Sequence, residues 1–188
     1  MNRIHQIDPE QTTGKTKQLL DVVTAKLGRV PNLVRVISNS PAALEGYLSF
    51  SGALTKGVLP PKVREQLALT ISEINGCDYC LSGHTVYATR AGLSPEEIAA
   101  ARRAMATDGK VDAILKLARA IALQRGHVSD AEVQTARAAG ITDVEMVEII
   151  QHVALSTLTN YTNNFARTEV DFPPVKAGVI EPAPVLAA

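Results

Sequence analysis

The residues that decide the fold are EQLALTISEINGCDYCLSGH, positions 65–84. Within this stretch, positions 66–72 carry no charge, and a helix that is apolar nearly all round is usually buried. Gly76 predicts the end of this helix, because glycine accepts the left-handed backbone conformation found there. A new helix then begins at Cys77, so that a Cys-x-x-Cys motif ending at Cys80 lies at its start. The stretch therefore predicts two consecutive helices with a cysteine pair at their junction.

The two cysteines and His84 are spaced so that they can act together. Cys80 follows Cys77 by three residues and His84 follows Cys80 by four, which places all three side chains on one helix face. Helical neighbours three residues apart also fall within the Cα separation of roughly 4.4–6.8 Å that a disulfide needs. A thiol in the first turn faces unpaired N–H groups and the positive end of the helix dipole, which favour the reactive thiolate. Because imidazole titrates near neutral pH, His84 can take up the thiol proton.

Glu65 is the candidate for a residue that orients His84. It shares a helix face with Ala68, Leu69 and Ser72, so its carboxylate lies at the edge of the predicted core. A carboxylate in that position needs a partner, and a base works better when a third group orients it. Taken alone, Glu65 also fits a solvated charge at a helix start, where acidic residues favour the dipole.

Helix signals dominate the rest of the chain, and the sequence predicts an all-α bundle. A first helix is predicted from Asp8 to Leu27, stopping at Gly28. Ser40 followed by a proline predicts the N-cap and first position of another helix, which should run to about Gly57. The proline pair that follows predicts the start of the next helix.

Three later helix starts carry a capping box, a Ser or Thr followed three residues on by Glu. They are Ser94 with Glu97, Ser129 with Glu132, and Thr142 with Glu145. The first and third follow a glycine in similar contexts, AGLSPEEI at 91–98 and AGITDVEM at 139–146. This similarity indicates either a repeated helix-turn-helix unit or two junctions that share common capping chemistry.

The helix after the third capping box carries both an apolar and a polar stripe. The predicted core stripe is Val144, Val147, Leu155 and Leu158, and the opposite face holds His152, Ser156, Thr159 and Asn163. We therefore expect His152 to be an interface or surface residue rather than a catalyst.

The composition limits the classes of partner. The chain has 19 Lys plus Arg and 19 Asp plus Glu, so it shows no electrostatic footprint for nucleic acid or anionic membrane. Aromatic residues make up 4% and there is no Trp, which disfavours base stacking. Positions 1–6 lack the apolar run of a signal peptide, and no stretch approaches the roughly 20 apolar residues of a membrane span. We expect a cytoplasmic protein.

The length of 188 residues suits one domain over residues 1–188, with a core over about residues 10–170. Residues 171–188 begin with DFPP and are rich in proline, which cannot continue a helix. They predict an extended C-terminal arm, either loosely held or draped over a neighbouring subunit.

The motif resembles the core of the alkyl hydroperoxidase D-like, peroxidase-related branch of the carboxymuconolactone decarboxylase superfamily. That core has a Glu, eleven residues, a Cys-x-x-Cys pair, three residues and a His. Glu65, Cys77, Cys80 and His84 match it position for position. The resemblance extends more weakly over about residues 14–173.

The resemblance implies an all-helical trimer or hexamer with thiol-dependent peroxidase activity and neither cofactor nor metal ion. Cys80 would be the peroxidatic thiol, activated by His84, which Glu65 positions. Peroxide would convert Cys80 to a sulfenic acid, and Cys77 would condense with it to give a disulfide. A dithiol or lipoyl-bearing donor would then reduce the pair by thiol–disulfide exchange, with Cys77 as the expected point where electrons enter.

The chain departs from the family pattern at Tyr79, where the best-known family enzymes carry a second His between the cysteines. The proton relay is therefore expected to be shorter here. Tyr79 itself fits either a hydrogen bond to the substrate or a space-filling role.

Other interpretations of the cysteine pair remain at this stage. Thiols in the cytoplasm are normally reduced, so a close pair indicates catalysis or metal binding rather than a structural disulfide. Zinc needs four ligands, and Cys77, Cys80, His84 and Glu65 are the available set. An inert buried pair is another alternative. The alternative functions are a non-redox, decarboxylase-like reaction, against which the cysteine pair argues, and a non-enzymatic redox sensor.

Overall fold

The computed structural model describes residues 2–178, which form helices and loops without any strand. This confirms the predicted all-α fold. The described α-helices are α1 (Gly14–Leu27), α2 (Asn32–Ile37), α3 (Pro41–Leu54), α4 (Pro61–Ile74), α5 (Asp78–Arg90), α6 (Pro95–Arg102), α7 (Gly109–Leu123), α8 (Asp130–Ala138) and α9 (Asp143–Ala166). No helix among these residues is long and apolar enough to cross a membrane.

Helix α1 starts later than predicted. A short 3-10 turn follows Asp8, whose side chain caps it, and Thr12 Oγ1 donates to the carbonyl of Pro9 at 2.8 Å. These short-range bonds close the turn, and the backbone is extended at Thr12 before α1 begins. The end of α1 is as predicted: Gly28 has φ 73° and its N–H donates to the carbonyl of Thr24.

The other predicted helix starts are confirmed, including all three capping boxes. In each box the hydroxyl accepts a bond from the backbone N–H three residues on, and the Glu carboxylate accepts one from the N-cap N–H. Ser40 caps α3 and α4 begins at Pro61. Helix α3 ends at Leu54, three residues before the predicted end at Gly57.

Helix α4 runs through the centre of the protein, as its uncharged stretch predicts. Nine of its 14 residues are buried, and Leu67, Leu69 and Ile71 have no exposed surface. Burying each such side chain stabilises the fold by about 1.5–3 kcal/mol. Helix α4 packs against α5, α6, α7 and α9, so it is the central helix around which these four are arranged.

Two apolar clusters flank the junction between α4 and α5. The larger cluster is built from helices α4 to α9. The smaller one joins apolar residues of α1, α2 and α3 to the Cys-x-x-Cys motif through Cys77, Tyr79 and Cys80. The cysteine pair is therefore held between two packed regions.

Helix α9 faces the opposite way from the prediction. Val144, Val147 and Leu158 are 57%, 58% and 44% exposed, whereas His152 and Asn163 are only 7% and 3% exposed. The predicted apolar core stripe and the predicted surface position of His152 are both wrong.

The inward face of α9 carries Ile149 and Val153, which join the larger apolar cluster, and polar residues that find hydrogen-bond partners inside the protein. Asn160 Nδ2 donates to Ser72 Oγ at 3.2 Å, and Asn160 Oδ1 accepts from Asn75 Nδ2 at 2.9 Å. The Thr159 hydroxyl donates to the backbone carbonyl of Ser156, in the same helix, at 2.9 Å. Buried polar groups are tolerated when they are bonded in this way.

The first part of the predicted arm is extended and lies along α5 of its own chain. The N–H of Val175 donates to Ser82 Oγ at 2.9 Å, and the N–H of Ala177 donates to Asp78 Oδ1 at 2.9 Å. These bonds hold the segment 171–178 beside the cysteine motif. The remainder of the predicted arm, residues 179–188, lies outside the described residues.

Candidate active site

The cysteine pair marks the start of α5. Cys77 is the N-cap rather than a residue of the first turn, and its Sγ accepts a bond from the N–H of Cys80 at 3.2 Å. The two residues form a disulfide, with Cα atoms 5.3 Å apart. The distance agrees with the range expected for this spacing. The pair therefore combines a helix cap with a disulfide.

The two cysteines differ in what they face. Cys77 has no exposed surface, whereas Cys80 is 5% exposed and lines a cavity together with His84. A molecule that enters this cavity contacts Cys80, whereas Cys77 is not part of its lining. Accessibility therefore distinguishes Cys80 from Cys77, in addition to the spacing that places His84 one turn after Cys80.

Glu65 and His84 are brought together across α4 and α5. His84 Nδ1 lies 2.8 Å from Glu65 Oε2, and the two side chains are 28% and 23% exposed. An ionised carboxylate can only accept a hydrogen bond, so Nδ1 carries the proton. Nε2 of the neutral ring is then the free acceptor. Glu65 thereby fixes both the orientation and the tautomer of His84.

The cavity beside Cys80 is lined mainly by apolar and aromatic side chains. Leu27, Pro31 and Leu33 form one part of the wall, and Tyr87 and Phe172 form another. The two rings meet edge to face with centroids 5.8 Å apart. Such a lining suits a ligand with an apolar part.

Phe172 belongs to the C-terminal arm, and sequence reasoning missed its contribution. A Cβ atom at Gly83 would lie 3.3 Å from Phe172 Cε2, so the absence of a side chain at Gly83 gives the ring its place. The guanidinium of Arg29 lies 4.6 Å from the centre of the same ring. Arg29 also pairs with Asp171 at 2.6 Å. The arm is thus built into the wall of the cavity.

Tyr79 connects the cysteine motif to this arm. Its hydroxyl donates to Asp171 Oδ1 at 2.7 Å and accepts from the N–H of Leu33 at 3.0 Å. Burial raises the pKa of Tyr79 well above its usual range, and the Asp171 carboxylate adds to the rise. The hydroxyl therefore stays protonated and is fully used in holding the structure.

Asn163 is the second residue that sequence reasoning missed. It reaches from α9 into the cavity, and its Nδ2 donates to Cys80 Sγ at 3.3 Å. The signal that points to it is the polar stripe of α9, which the sequence predicts away from the core and the structure places inside. Residues on a buried polar stripe face other buried groups, here the cysteine.

A second cavity reaches the Glu65 side of the ion pair. It shares Tyr47 and His84 with the first cavity and is also lined by Glu65 and His152. His152 Nε2 has no hydrogen-bond partner among the described residues. Burial lowers the pKa of His152, and nearby Arg64 lowers it further. The neutral imidazole therefore predominates at neutral pH.

Within residues 2–178 no group of three or more His, Cys, Asp or Glu side chains is arranged to hold a metal ion. Of the four residues available as zinc ligands, Cys77 and Cys80 are joined in the disulfide. The other two, Glu65 and His84, are paired with each other.

The fold is similar to that of several solved structures. A peroxidase-related protein with an alkylhydroperoxidase AhpD core from Ralstonia eutropha JMP134 has a TM-score of 0.80 at 20% identity, covering 90% of this chain and 92% of that one. A peroxidase-related protein from Silicibacter sp. TM1040 has a TM-score of 0.77 at 20% identity, covering 92% and 90%. The debrominase Bmp8, in complex with 2,3,4-tribromopyrrole, has a TM-score of 0.75 at 17% identity, covering 91% and 94%.

The sequence comparisons agree with this fold. No curated protein matches the chain in sequence. The family model that matches is that of the Carboxymuconolactone decarboxylase family, over residues 41–123, the segment that holds the cysteine motif and its Glu and His. Residues 41–123 thus match the model of the Carboxymuconolactone decarboxylase family, and the chain is similar in fold to the alkylhydroperoxidase AhpD core.

Proposed function

We propose that the protein is a thiol-dependent peroxidase that reduces hydrogen peroxide or organic hydroperoxides through a cycle of the Cys77–Cys80 disulfide. The observation that carries the proposal is the position of Cys80. Cys80 lines an apolar cavity together with His84, whose Nδ1 is bonded to Glu65. A nucleophile, a base and an orienting carboxylate are the parts that nucleophilic catalysis requires.

In the first step His84 takes the proton of the Cys80 thiol, and the thiolate attacks the terminal oxygen of the peroxide. The O–O bond breaks, Cys80 becomes a sulfenic acid, and His84 returns the proton to the leaving oxygen to give an alcohol or water. Glu65 stabilises the imidazolium that exists between these two transfers.

In the second step the sulfur of Cys77 attacks the sulfenic acid of Cys80. The S–O bond breaks, water leaves, and the disulfide forms. Cys77 needs little movement, because the two Cα atoms are 5.3 Å apart in the disulfide state.

A dithiol or lipoyl-type donor supplies the two electrons that restore the thiols. We propose that the donor attacks Cys80 rather than Cys77, the entry point expected from the sequence, since Cys80 lines the cavity and Cys77 has no exposed surface. The first donor thiol forms a mixed disulfide with Cys80 and releases Cys77 as a thiolate. The second donor thiol then displaces Cys80 and leaves the donor as a disulfide.

The proposal extends to location and assembly: a cytoplasmic homo-oligomer, either trimer or hexamer. One face of α9 exposes apolar side chains at helical spacing, which is an unusual arrangement for a surface that meets water. The exposed set is Val147, Ile150, Leu158, Tyr161 and Phe165.

The test is peroxide consumption with several dithiol donors. Cys80→Ser is expected to abolish consumption, and Cys77→Ser is expected to stop the reaction after one oxidation per chain. Full turnover by both variants would contradict a thiol mechanism and favour a non-redox reaction of the superfamily. One oxidation of the wild-type protein, with no turnover under any donor, would favour a redox sensor.

A second candidate is thiol-dependent removal of a halogen from an aromatic ring, because the cavity beside Cys80 is lined by aromatic side chains and a structural neighbour is a debrominase. The two thiols would supply two electrons, giving the ring C–H, bromide and the disulfide. Bromide release from 2,3,4-tribromopyrrole, with no peroxide consumption under the same donor, would select this function.

A further inference from the structure

We propose that Asn163 is a further catalytic residue, whose Nδ2–H stabilises the Cys80 thiolate and whose free carbonyl oxygen accepts the O–H of the incoming peroxide. The proposal rests on the proposed peroxidase function and adds a residue that the motif of Glu65, Cys77, Cys80 and His84 does not contain.

The first observation is the contact itself. Asn163 Nδ2 lies 3.3 Å from Cys80 Sγ, and among residues 2–178 no other side chain donates a hydrogen bond to this sulfur. Both residues are almost fully buried, with 3% and 5% of their surface exposed. An N–H donor to a buried anion is worth more than one in water, because the surroundings screen it less. The bond therefore favours the thiolate over the thiol.

The second observation is the other end of the same amide. Asn163 Oδ1 is buried and has no hydrogen-bond partner among the described residues. A buried acceptor without a partner is costly, and such groups are uncommon in folded proteins. Asn163 lines the cavity that Cys80 faces, so a ligand in that cavity can supply the missing donor.

A hydroperoxide has one donor, the O–H on its terminal oxygen, and this is the oxygen that the thiolate attacks. If Asn163 holds the sulfur with Nδ2 and the O–H with Oδ1, one planar amide places the two reacting atoms side by side. The proton on the terminal oxygen stays there and becomes the proton of the sulfenic acid. His84 protonates the other oxygen, so the two residues act on opposite ends of the O–O bond.

The donor end is tested without reference to peroxide. In a Cys77→Ser background Cys80 is the only thiol, and Ser is suited to the N-cap position it would occupy. The pKa of the Cys80 thiol is then measured by thiolate absorbance and by the pH dependence of alkylation. Asn163→Leu is expected to raise this pKa by about one unit, which leaves roughly tenfold less thiolate at any pH well below the thiol pKa. Asn163→Val also loses the donor without adding a charge, and it is expected to raise the pKa in the same direction.

Asn164→Leu is the matched control. It makes the same change at the next position, where the side chain is exposed and its Nδ2 bonds to the Asn75 carbonyl instead of the sulfur. An unchanged thiol pKa is expected. If Asn163→Leu and Asn163→Val both leave the pKa at the wild-type value, the donor role is overturned. If Asn163→Leu does not fold, as judged by circular dichroism, the Asn163→Val result decides.

The acceptor end is tested by single-turnover oxidation of Cys80 at a pH where all variants are fully thiolate. Asn163→Leu is expected to slow this reaction roughly tenfold, because the peroxide is no longer oriented. An equal rate would overturn the acceptor role. If none of the peroxides tested oxidises Cys80 of the wild-type protein, the proposed peroxidase function is contradicted, and the acceptor role with it. The thiol titration still decides the donor role in that case.

Discussion

The hydroxyl of Tyr79 donates a hydrogen bond to Oδ1 of Asp171 at 2.7 Å, and the two residues are 92 positions apart in the sequence. The same hydroxyl accepts the N–H of Leu33. One side chain thus joins the start of α5 to α2 and to the C-terminal arm. This contact decides that Tyr79 is a structural residue, a question that its place between the cysteines leaves open.

Tyr79→Phe is expected to lower the free energy of unfolding by about 1–3 kcal/mol, because it leaves a buried N–H of Leu33 without its acceptor. Urea unfolding followed by circular dichroism measures the loss. Tyr161→Phe is the control, since Tyr161 is 62% exposed and should lose almost nothing. Equal stability of the two variants would show that the Tyr79 hydroxyl is not needed.

The difference in burial between the cysteines predicts different reactivity in the folded, reduced protein. In the Cys77→Ser variant the remaining thiol, that of Cys80, should react readily with a small thiol reagent that enters the cavity. In the Cys80→Ser variant the remaining thiol, that of Cys77, should react slowly in the folded protein and quickly in urea, because Cys77 has no exposed surface. Labelling followed by mass spectrometry gives both rates. Faster labelling of Cys77 would restore it as the point where electrons enter.

The Glu65–His84 pair predicts a graded loss of activity. His84→Gln removes the base, and the rate of Cys80 oxidation at neutral pH is expected to fall roughly hundredfold. Glu65→Gln keeps a hydrogen-bond acceptor for Nδ1 but removes the charge that stabilises the imidazolium, so a smaller fall, roughly tenfold, is expected. Stopped-flow oxidation rates check the order. A larger effect for Glu65→Gln than for His84→Gln would contradict the assigned roles.

His152 predicts a pH-dependent stability. Burial and Arg64 lower its pKa in the folded protein from 6.5, whereas the unfolded chain has the ordinary value. As pH falls below about 6.5 the unfolded state binds a proton that the folded state resists, so the free energy of unfolding falls. His152→Gln should show a smaller fall between about pH 7 and pH 5. Parallel curves for the two proteins would show that His152 does not titrate differently on folding.

The exposed apolar face of α9 predicts the assembly. Replacing Val147 and Phe165, which are 58% and 65% exposed, with Glu should shift the native mass towards that of a monomer, because charges are costly in an apolar interface. Val22→Glu is the control, since Val22 is 62% exposed on a different helix, α1. A wild-type monomer would refute the proposed oligomer.

Much of the architecture was predictable because it depends on short-range chemistry. Capping boxes, prolines at first helical positions and the glycine after α1 act within a few residues, so their sequence signals survive in any tertiary context. The start of α1 was not predictable, because the choice between a 3-10 turn and an α-helix depended on competing local bonds of Asp8 and Thr12.

The sequence by itself determined the helices and the spacing of the Cys-x-x-Cys motif with its Glu and His. Only the tertiary structure decided which face of α9 turns inward, because an amphipathic pattern predicts two unlike faces but not what each will meet. That orientation brings Asn163 to Cys80 and buries His152. The fold likewise decided that Tyr79 bonds to Asp171. These contacts join residues more than 80 positions apart, and packing rather than local chemistry sets them.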